Sequence, residues 1–270
     1  MDSQCRFDSG APSRRVAGNG VKKEKNAPKN VKQDDQTQIA ESYGLVVKAD
    51  DLKASFRKAW KEISAQHPLY GKHSIPPLHY DDWWSLLIEK TFEYTDIAGS
   101  DLQTTLPTLI PALMERFASN KGYILHSDTI DCLRELRTER LKFGIVSNSD
   151  PRMFTVLKSL GIVPDFMPPN NITLSWDVGH SKPSSAIFEA ACKNFGCPAS
   201  EVLMVGDDLD EDYISSKEAG LQAVLLTRDS READWVRRDV LSKELDQIEF
   251  ITSLSQLSEL VKRYNVLTTD

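Results

Sequence analysis

The sequence has no apolar run near the ~18 residues that a membrane-spanning helix needs. Its N-terminus carries no apolar core of a secretory signal. Arg6, Arg14 and Arg15 come early, but Asp2 and Asp8 stand among them, and organelle presequences are poor in acids. The cytoplasm is therefore the expected compartment. Cysteines are few: Cys5, Cys132, Cys192 and Cys197. The only close pair, Cys192 and Cys197, lacks zinc-site spacing, so free thiols in a reducing compartment are expected. There is no basic excess. The net charge of -7 weighs against nucleic acid as a partner. What remains is ordinary for a soluble globular protein, 40% hydrophobic and 27% charged, and 270 residues suffice for one large domain or two modest ones.

Three regions differ in pattern. Residues 1–36 are polar and nearly free of large apolar side chains, with Phe7 the sole aromatic. Such a stretch cannot bury enough surface to offset its ordering entropy, so disorder is expected.

Residues 37–119 read as a helical block. Leu52, Phe56, Trp60 and Ile63 recur at helical spacing after Asp50, a candidate N-cap. Trp83, Trp84, Leu87 and Ile88 form a second stripe, for which core packing is the expected role. Leu106, Leu109, Leu113 and Phe117 form a third, interrupted by Pro107 and Pro111. The stretch from His67 to Leu78 holds three prolines and a glycine and reads as a loop. His67, His73 and His79 in this region are assigned surface or packing roles.

Residues 120–270 alternate short apolar runs with helical patterns. Ile130, Leu133 and Leu136 mark a helix; Phe143–Val146 reads as a strand; Pro151 to Leu160 as a helix closed by Gly161. Ile172–Leu174 is a weaker strand, followed by a helix from Pro183–Ser184. Val202–Val205 is a strong strand, with a helix to Ala219 after it, then the strand Ala223–Leu226. Ile248–Ile251 is an edge strand, and a last helix carries Leu254, Leu257, Leu260 and Val261. This alternation predicts an α/β fold with a parallel sheet and helices on both faces.

In such folds ligands sit beyond the carboxyl ends of the strands. Ser147 follows one strand, Asp207 another, and Lys182 precedes a helix between them. A hydroxyl, an ammonium and carboxylates at one rim suit phosphoryl transfer: the first two hold and neutralise phosphoryl oxygens, and carboxylates hold Mg²⁺. Each also has a plain structural reading. Ser147 suits a turn, Lys182 a solvated surface, Asp207 and Asp208 a strand exit, and Asp212 the first turn of a helix.

In this order, FGIVSNSD (143–150), HSKPSSAIFEAA (180–191) and VLMVGDDLDED (202–212) resemble the second, third and fourth motifs of the haloacid dehalogenase-like (HAD) hydrolases. The preceding helical block resembles the cap of one HAD subgroup. The resemblance spans roughly residues 38–262 and implies a Rossmann-like HAD core with a helical cap, acting as a Mg²⁺-dependent phosphatase on a small phosphorylated metabolite. It implies that Ser147 hydrogen-bonds the transferring phosphoryl group and that Lys182 neutralises charge beside it. It further implies that Asp207 ligates Mg²⁺, that Asp208 and Asp212 belong to the same metal surroundings, and that Asn148 lines the substrate site. Substrate identity and oligomeric state are left open.

One departure stands against this. HAD phosphatases open on an apolar strand ending in DxD, whose first Asp attacks phosphorus and whose second serves as general acid and base. Upstream of the helical block the sequence reads Gly18-Asn19-Gly20-Val21-Lys22-Lys23-Glu24-Lys25, which is neither. Phe7-Asp8-Ser9-Gly10 is the nearest imitation and lacks both the apolar lead-in and the second Asp. In the family that strand lies centrally, between those ending at Ser147 and Asp207. Its loss is expected to leave unpaired backbone edges on both neighbours, so that they close up or the chain is poorly stable, and to strip Lys182 of its carboxylate. Two explanations stand: a first exon that does not belong, with an ordinary phosphatase behind it, or a genuine variant without catalysis. The abrupt join between the polar segment and the first family-like helix favours the former.

Overall fold

The computed structural model describes residues 34–139, 141–228 and 248–267. The expected disordered segment lies outside these up to residue 33; its last three residues open a helix.

Helices α1 (Asp34–Ser42), α2 (Ala49–Gln66), α3 (Tyr80–Glu93) and α4 (Gly99–Phe117) form the helical cap. Asp50 is not the N-cap of α2. Lys48 holds that place, and Asp50 and Asp51 sit in the first turn, where the helix dipole favours acids. Helix α4 runs unbroken through Pro107 and Pro111. The two prolines are four residues apart on the exposed stripe, so the carbonyls they orphan face water, while Leu102, Leu106, Leu109 and Leu113 are buried opposite. One cap cluster unites those leucines with Ala40, Leu45, Leu52, Ile88 and Phe92. A second joins Ala59, Ile63, Trp83 and Leu87, with Trp60, Tyr70 and Trp84 packed on it. Trp83 is fully buried and donates to the His67 carbonyl, as the packing role expected of it requires.

The α/β part runs α5 (Thr129–Thr138), β1 (Ile145–Ser147), α6 (Arg152–Ser159), β2 (Ile172–Leu174), α7 (Ser175–Val178), α8 (Ser185–Phe195) and β3 (Leu203–Gly206). A wide π-helical turn, Leu209–Ile214, then feeds α9 (Ser215–Glu218), followed by β4 (Gln222–Leu226), β5 (Phe250–Ile251) and α10 (Leu257–Leu267). All pairings are parallel, giving the expected α/β fold beside a helical block.

The sheet is not continuous. Strand β1 pairs with β2, and β3 pairs with β4, which pairs with β5; β1 and β3 do not pair. The edges have therefore not closed up. Helix α8 spans the break: Ile187 and Phe188 are fully buried in a cluster that draws Val146 from β1 and Met204 from β3. That shared apolar floor keeps the half-sheets side by side.

Candidate functional site

The carboxyl ends of β1 and β3 open on the same rim. Past β1, Asn148 clamps the segment before α8 from both sides: its Oδ1 accepts from the Lys182 backbone N–H at 2.7 Å, and its Nδ2 donates to the Lys182 carbonyl at 3.1 Å. The same Nδ2 donates to Glu211 Oε2 at 3.1 Å, reaching the other half-sheet. Asn148 thus holds Lys182 in place as well as standing at the rim.

Lys182 Nζ lies 2.5 Å from Asp212 Oδ1, with both side chains nearly buried. Lys182 has therefore not been stripped of a carboxylate; Asp212 takes that part. Asp212 reaches it because the chain leaves β3 through the π turn, where the Asp212 and Tyr213 N–H groups both point to the Asp208 carbonyl. The second oxygen, Asp212 Oδ2, accepts from the backbone N–H groups of Asp207 and Asp208 at 3.1 and 3.0 Å. A side chain at Gly206 would have its Cβ 2.3 Å from Asp212 Cγ, so the glycine makes room for that carboxylate.

The other expected residues are placed as follows. Ser147 Oγ is 2.6 Å from Ser149 Oγ at the end of β1. Asp208 caps the π turn, its Oδ1 accepting from the N–H groups of Asp210 and Glu211 at 3.0 and 2.8 Å. Asp207 is exposed at the rim beyond β3. Ser147, Asn148, Lys182, Asp207, Asp208 and Asp212 thus share one rim, and a hydrogen-bonded chain runs from Asn148 through Lys182 and Asp212 to Asp207 and Asp208.

The carboxylates do not converge as a preformed metal cage. Among the described residues no three His, Cys, Asp or Glu side chains are grouped to hold an ion. Asp208 and Asp212 are committed to backbone amides, and Asp212 also to Lys182. Mg²⁺ commonly takes one or two carboxylates and completes its shell with water and substrate phosphate. Asp207 meets the lower end of that requirement.

The cap reaches the same rim, which sequence reading missed. Tyr70 Oη donates to the Asn148 carbonyl at 2.6 Å. Burial, with Asp150 nearby, pushes the Tyr70 phenol well above its ordinary range, so it stays a donor. Leu69 and Tyr70 both adopt positive φ, at 53° and 54°, and Gly71 follows at 89° with Leu78 Cβ 2.6 Å from where its own Cβ would stand. This left-handed run aims the phenol at the core, and the Tyr-Gly pair in a proline-rich loop was its only trace in the sequence. Trp84 Nε1 donates to Asp150 Oδ2 at 2.7 Å, and Arg152 lies 4.5 Å over the Trp84 ring while pairing with Asp150. Lys72 adds a hydrogen bond to the Trp176 carbonyl.

Two cavities lie elsewhere. One, of about 370 Å³, opens at the C-terminal end of α8 between Cys192 and Cys197; the other, about 30 Å³, lies in the cap between Phe56, Trp84 and Arg152. Neither includes Ser147, Lys182 or Asp207. No helix among the described residues is long and apolar enough to cross a membrane.

Haloacid dehalogenase-like hydrolase domain-containing protein 3 of Danio rerio is 31% identical over 189 residues, covering 70% of this chain and 75% of that protein. Glyceraldehyde 3-phosphate phosphatase of Methanothermobacter thermautotrophicus is 30% identical over 158 residues, 57% of this chain and 67% of that protein. The fold is similar to that of the magnesium-bound HAD-hydrolase YfnB of Bacillus subtilis, with a TM-score of 0.57 and 17% identity, covering 86% of this chain and 94% of that one. The family model for haloacid dehalogenase-like hydrolases matches residues 31–220, from the cap through the π turn that carries Asp212, and the chain belongs to that family.

Proposed function

We propose that these residues form the phosphoryl- and metal-binding half of a phosphohydrolase site for a small phosphate ester. The observation that carries this reading is the Asn148–Lys182–Asp212 chain, which joins the ends of two half-sheets around a nearly buried ammonium. An ammonium at a sheet rim, beside the Ser147 hydroxyl, is suited to holding phosphoryl oxygens. Bound Mg²⁺ would neutralise phosphate charge; Asp207 would hold it directly and Asp212 through water. Similarity to a glyceraldehyde 3-phosphate phosphatase supports a small ester as ligand. The cap residue Tyr70, fixed on Asn148, would border it.

No apolar strand ending in DxD precedes the helical block in this sequence. The proposal is accordingly that this chain, on its own, binds phosphate without turning it over. Cytoplasmic residence belongs to the same reading. The test is calorimetric titration of the full chain with inorganic phosphate, with and without Mg²⁺, alongside an assay on p-nitrophenyl phosphate. Mg²⁺-enhanced binding that Asp207→Asn abolishes, with no turnover, is the expected result. Absence of phosphate binding at millimolar concentration sinks the site. Turnover by the chain alone sinks the claim of binding without catalysis.

A further inference from the structure

Two cysteines meet at the C-terminal end of α8, opposite the end that Lys182 leads into. The helix closes on Gly196, whose φ of 65° turns the chain back over the last turn. The Gly196 N–H donates to the Lys193 carbonyl and the Cys197 N–H to the Cys192 carbonyl, both at 3.2 Å. In a closure of this doubled kind, the two residues joined by the outer bond commonly pack side chain on side chain; here they are Cys192 and Cys197. With N···O at 3.2 Å, ordinary bond lengths keep their Cα atoms within about 7 Å of each other. A disulfide needs backbone movement only when that separation exceeds about 7 Å. Both cysteines line the same hollow of about 370 Å³, together with Pro198, Ala199 and Ala219. Cys197 Sγ lies 3.7 Å from the Phe195 carbonyl oxygen, turned back over the helix end. Burial, and then the neighbouring Cys197, push the Cys192 thiol up, so the two sulfurs sense each other. Cys132 sits on α5 in a different cluster.

We propose that Cys192 and Cys197 are a site of reversible oxidation, forming an intramolecular disulfide by exchange with a low-molecular-weight disulfide of the glutathione class. Cys197 reacts first, because it is half-buried while Cys192 is buried. Its thiolate attacks one sulfur of the small disulfide, a mixed disulfide forms, and one small thiol leaves with a proton from water. Cys192 then gives its proton to water, and its sulfur attacks the Cys197 sulfur and expels the second small thiol. Two protein thiols are oxidised, and their two electrons reduce the small disulfide to two thiols. The hollow beside both cysteines gives the small disulfide access. In a reducing compartment such bridges are transient and follow the redox state. This one fastens the last turn of α8, whose Ile187 and Phe188 floor the break in the sheet, to the segment leading into β3.

The test incubates the full chain at pH 8, folded and in urea, over a range of oxidised to reduced glutathione. Remaining thiols are blocked with N-ethylmaleimide, and the protein is digested without reductant. Trypsin cuts after Lys193, between the two cysteines, so the bridge leaves two fragments joined in the mass spectrum. Joined Cys192 and Cys197 fragments, with Cys132 carrying maleimide, are the expected result. A bridge that fits the fold forms more readily there, so half-conversion should need a proportion of oxidised glutathione at least about tenfold lower than in urea. Failure to oxidise, arrest of Cys197 at the glutathione adduct, its joining to Cys5 or Cys132, or an equal midpoint in urea overturns the site. Cys192→Ala gives a second readout. Cys197 should then accumulate as the glutathione adduct, and its recovery as the maleimide product alone overturns its place as the first thiol.

Discussion

Lys182 and Asp212 face each other across the break in the sheet, Nζ to Oδ1 at 2.5 Å, one carried by the lead-in to α8 and the other by the π turn after β3. Both side chains are nearly buried, so each charge depends on the other. Removing one partner of such a pair leaves an uncompensated charge and costs about 3–5 kcal/mol. Lys182→Met is expected to destabilise by that amount, and the double change Lys182→Met with Asp212→Leu by clearly less. Urea unfolding of the three proteins measures this. Equal losses for the single and double variants would show that the pair is not coupled.

Gly206 gives a second route to the same network. Its Cβ would stand 2.4 Å from both Asp212 Cβ and Asp212 Oδ2, so Gly206→Ala must move the carboxylate. Overpacking of this kind costs about 1–3 kcal/mol. It should also release the Asp207 and Asp208 amides that Asp212 Oδ2 receives. Faster exchange of those two amides, with the β4 amides unchanged, is the expected signature.

Much of this was legible in the sequence because it rests on local pattern. Apolar runs ending in Ser147 and Gly206 gave the strands, and Ser184 caps α8 as the Pro183–Ser184 start implied. The continuity of α4 was not legible, because Pro107 and Pro111 break helices by rule and only tertiary burial of the opposite stripe overrides them. Nor was the use of Asp212: a carboxylate five residues after another suggests a shared metal, while the π turn swings it onto amides and an ammonium. Tyr70 depends on a left-handed backbone run that no periodicity encodes.

The contact between cap and core makes its own prediction. Asp150 is buried and accepts from Trp84 Nε1, from the Arg152 backbone N–H and from the Arg152 guanidinium at both oxygens. Trp84→Phe keeps a ring beneath Arg152 but removes one donor to a buried carboxylate. Hydrogen bonds to charged groups contribute about 1.5–3 kcal/mol, so a melting point lower by several degrees is expected. An unchanged melting point would show that the indole N–H contributes nothing at this contact.

Thiol reactivity should follow burial. Burial pushes the Cys132 thiol up to about 11, and burial likewise raises Cys192, whereas Cys197 is only half-buried. The thiolate is the reactive form. At pH 8, iodoacetamide should therefore modify Cys197 before Cys132 or Cys192, as read by peptide mass mapping. Labelling of Cys132 first would contradict its placement on the buried side of α5.

Asp128 precedes α5 without capping it; its carboxylate instead reaches the far end of the sheet. Asp128 Oδ2 accepts from Arg228 Nη1 at 2.9 Å, Ser253 Oγ at 2.7 Å and the Leu254 N–H at 2.9 Å. The Arg228 hydrogen bond acts most strongly, burial opposes it, and the hydrogen bonds from Ser253 and Leu254 add to it, so that the carboxyl is held well below the usual range. A depressed folded-state pKa means the unfolded chain binds the proton first. The stabilisation is then complete above the unfolded value of about 3.9 and fades as pH falls below it toward the lower folded value. Asp128→Asn should lower stability at pH 7 by about 1–3 kcal/mol. The gap between the two proteins should stay level from pH 7 to pH 5 and narrow by pH 3, in urea unfolding at each pH. A gap that persists undiminished at pH 3 would mean that the shape of the side chain, and not its charge, ties α5 to the end of β4 and the turn after β5.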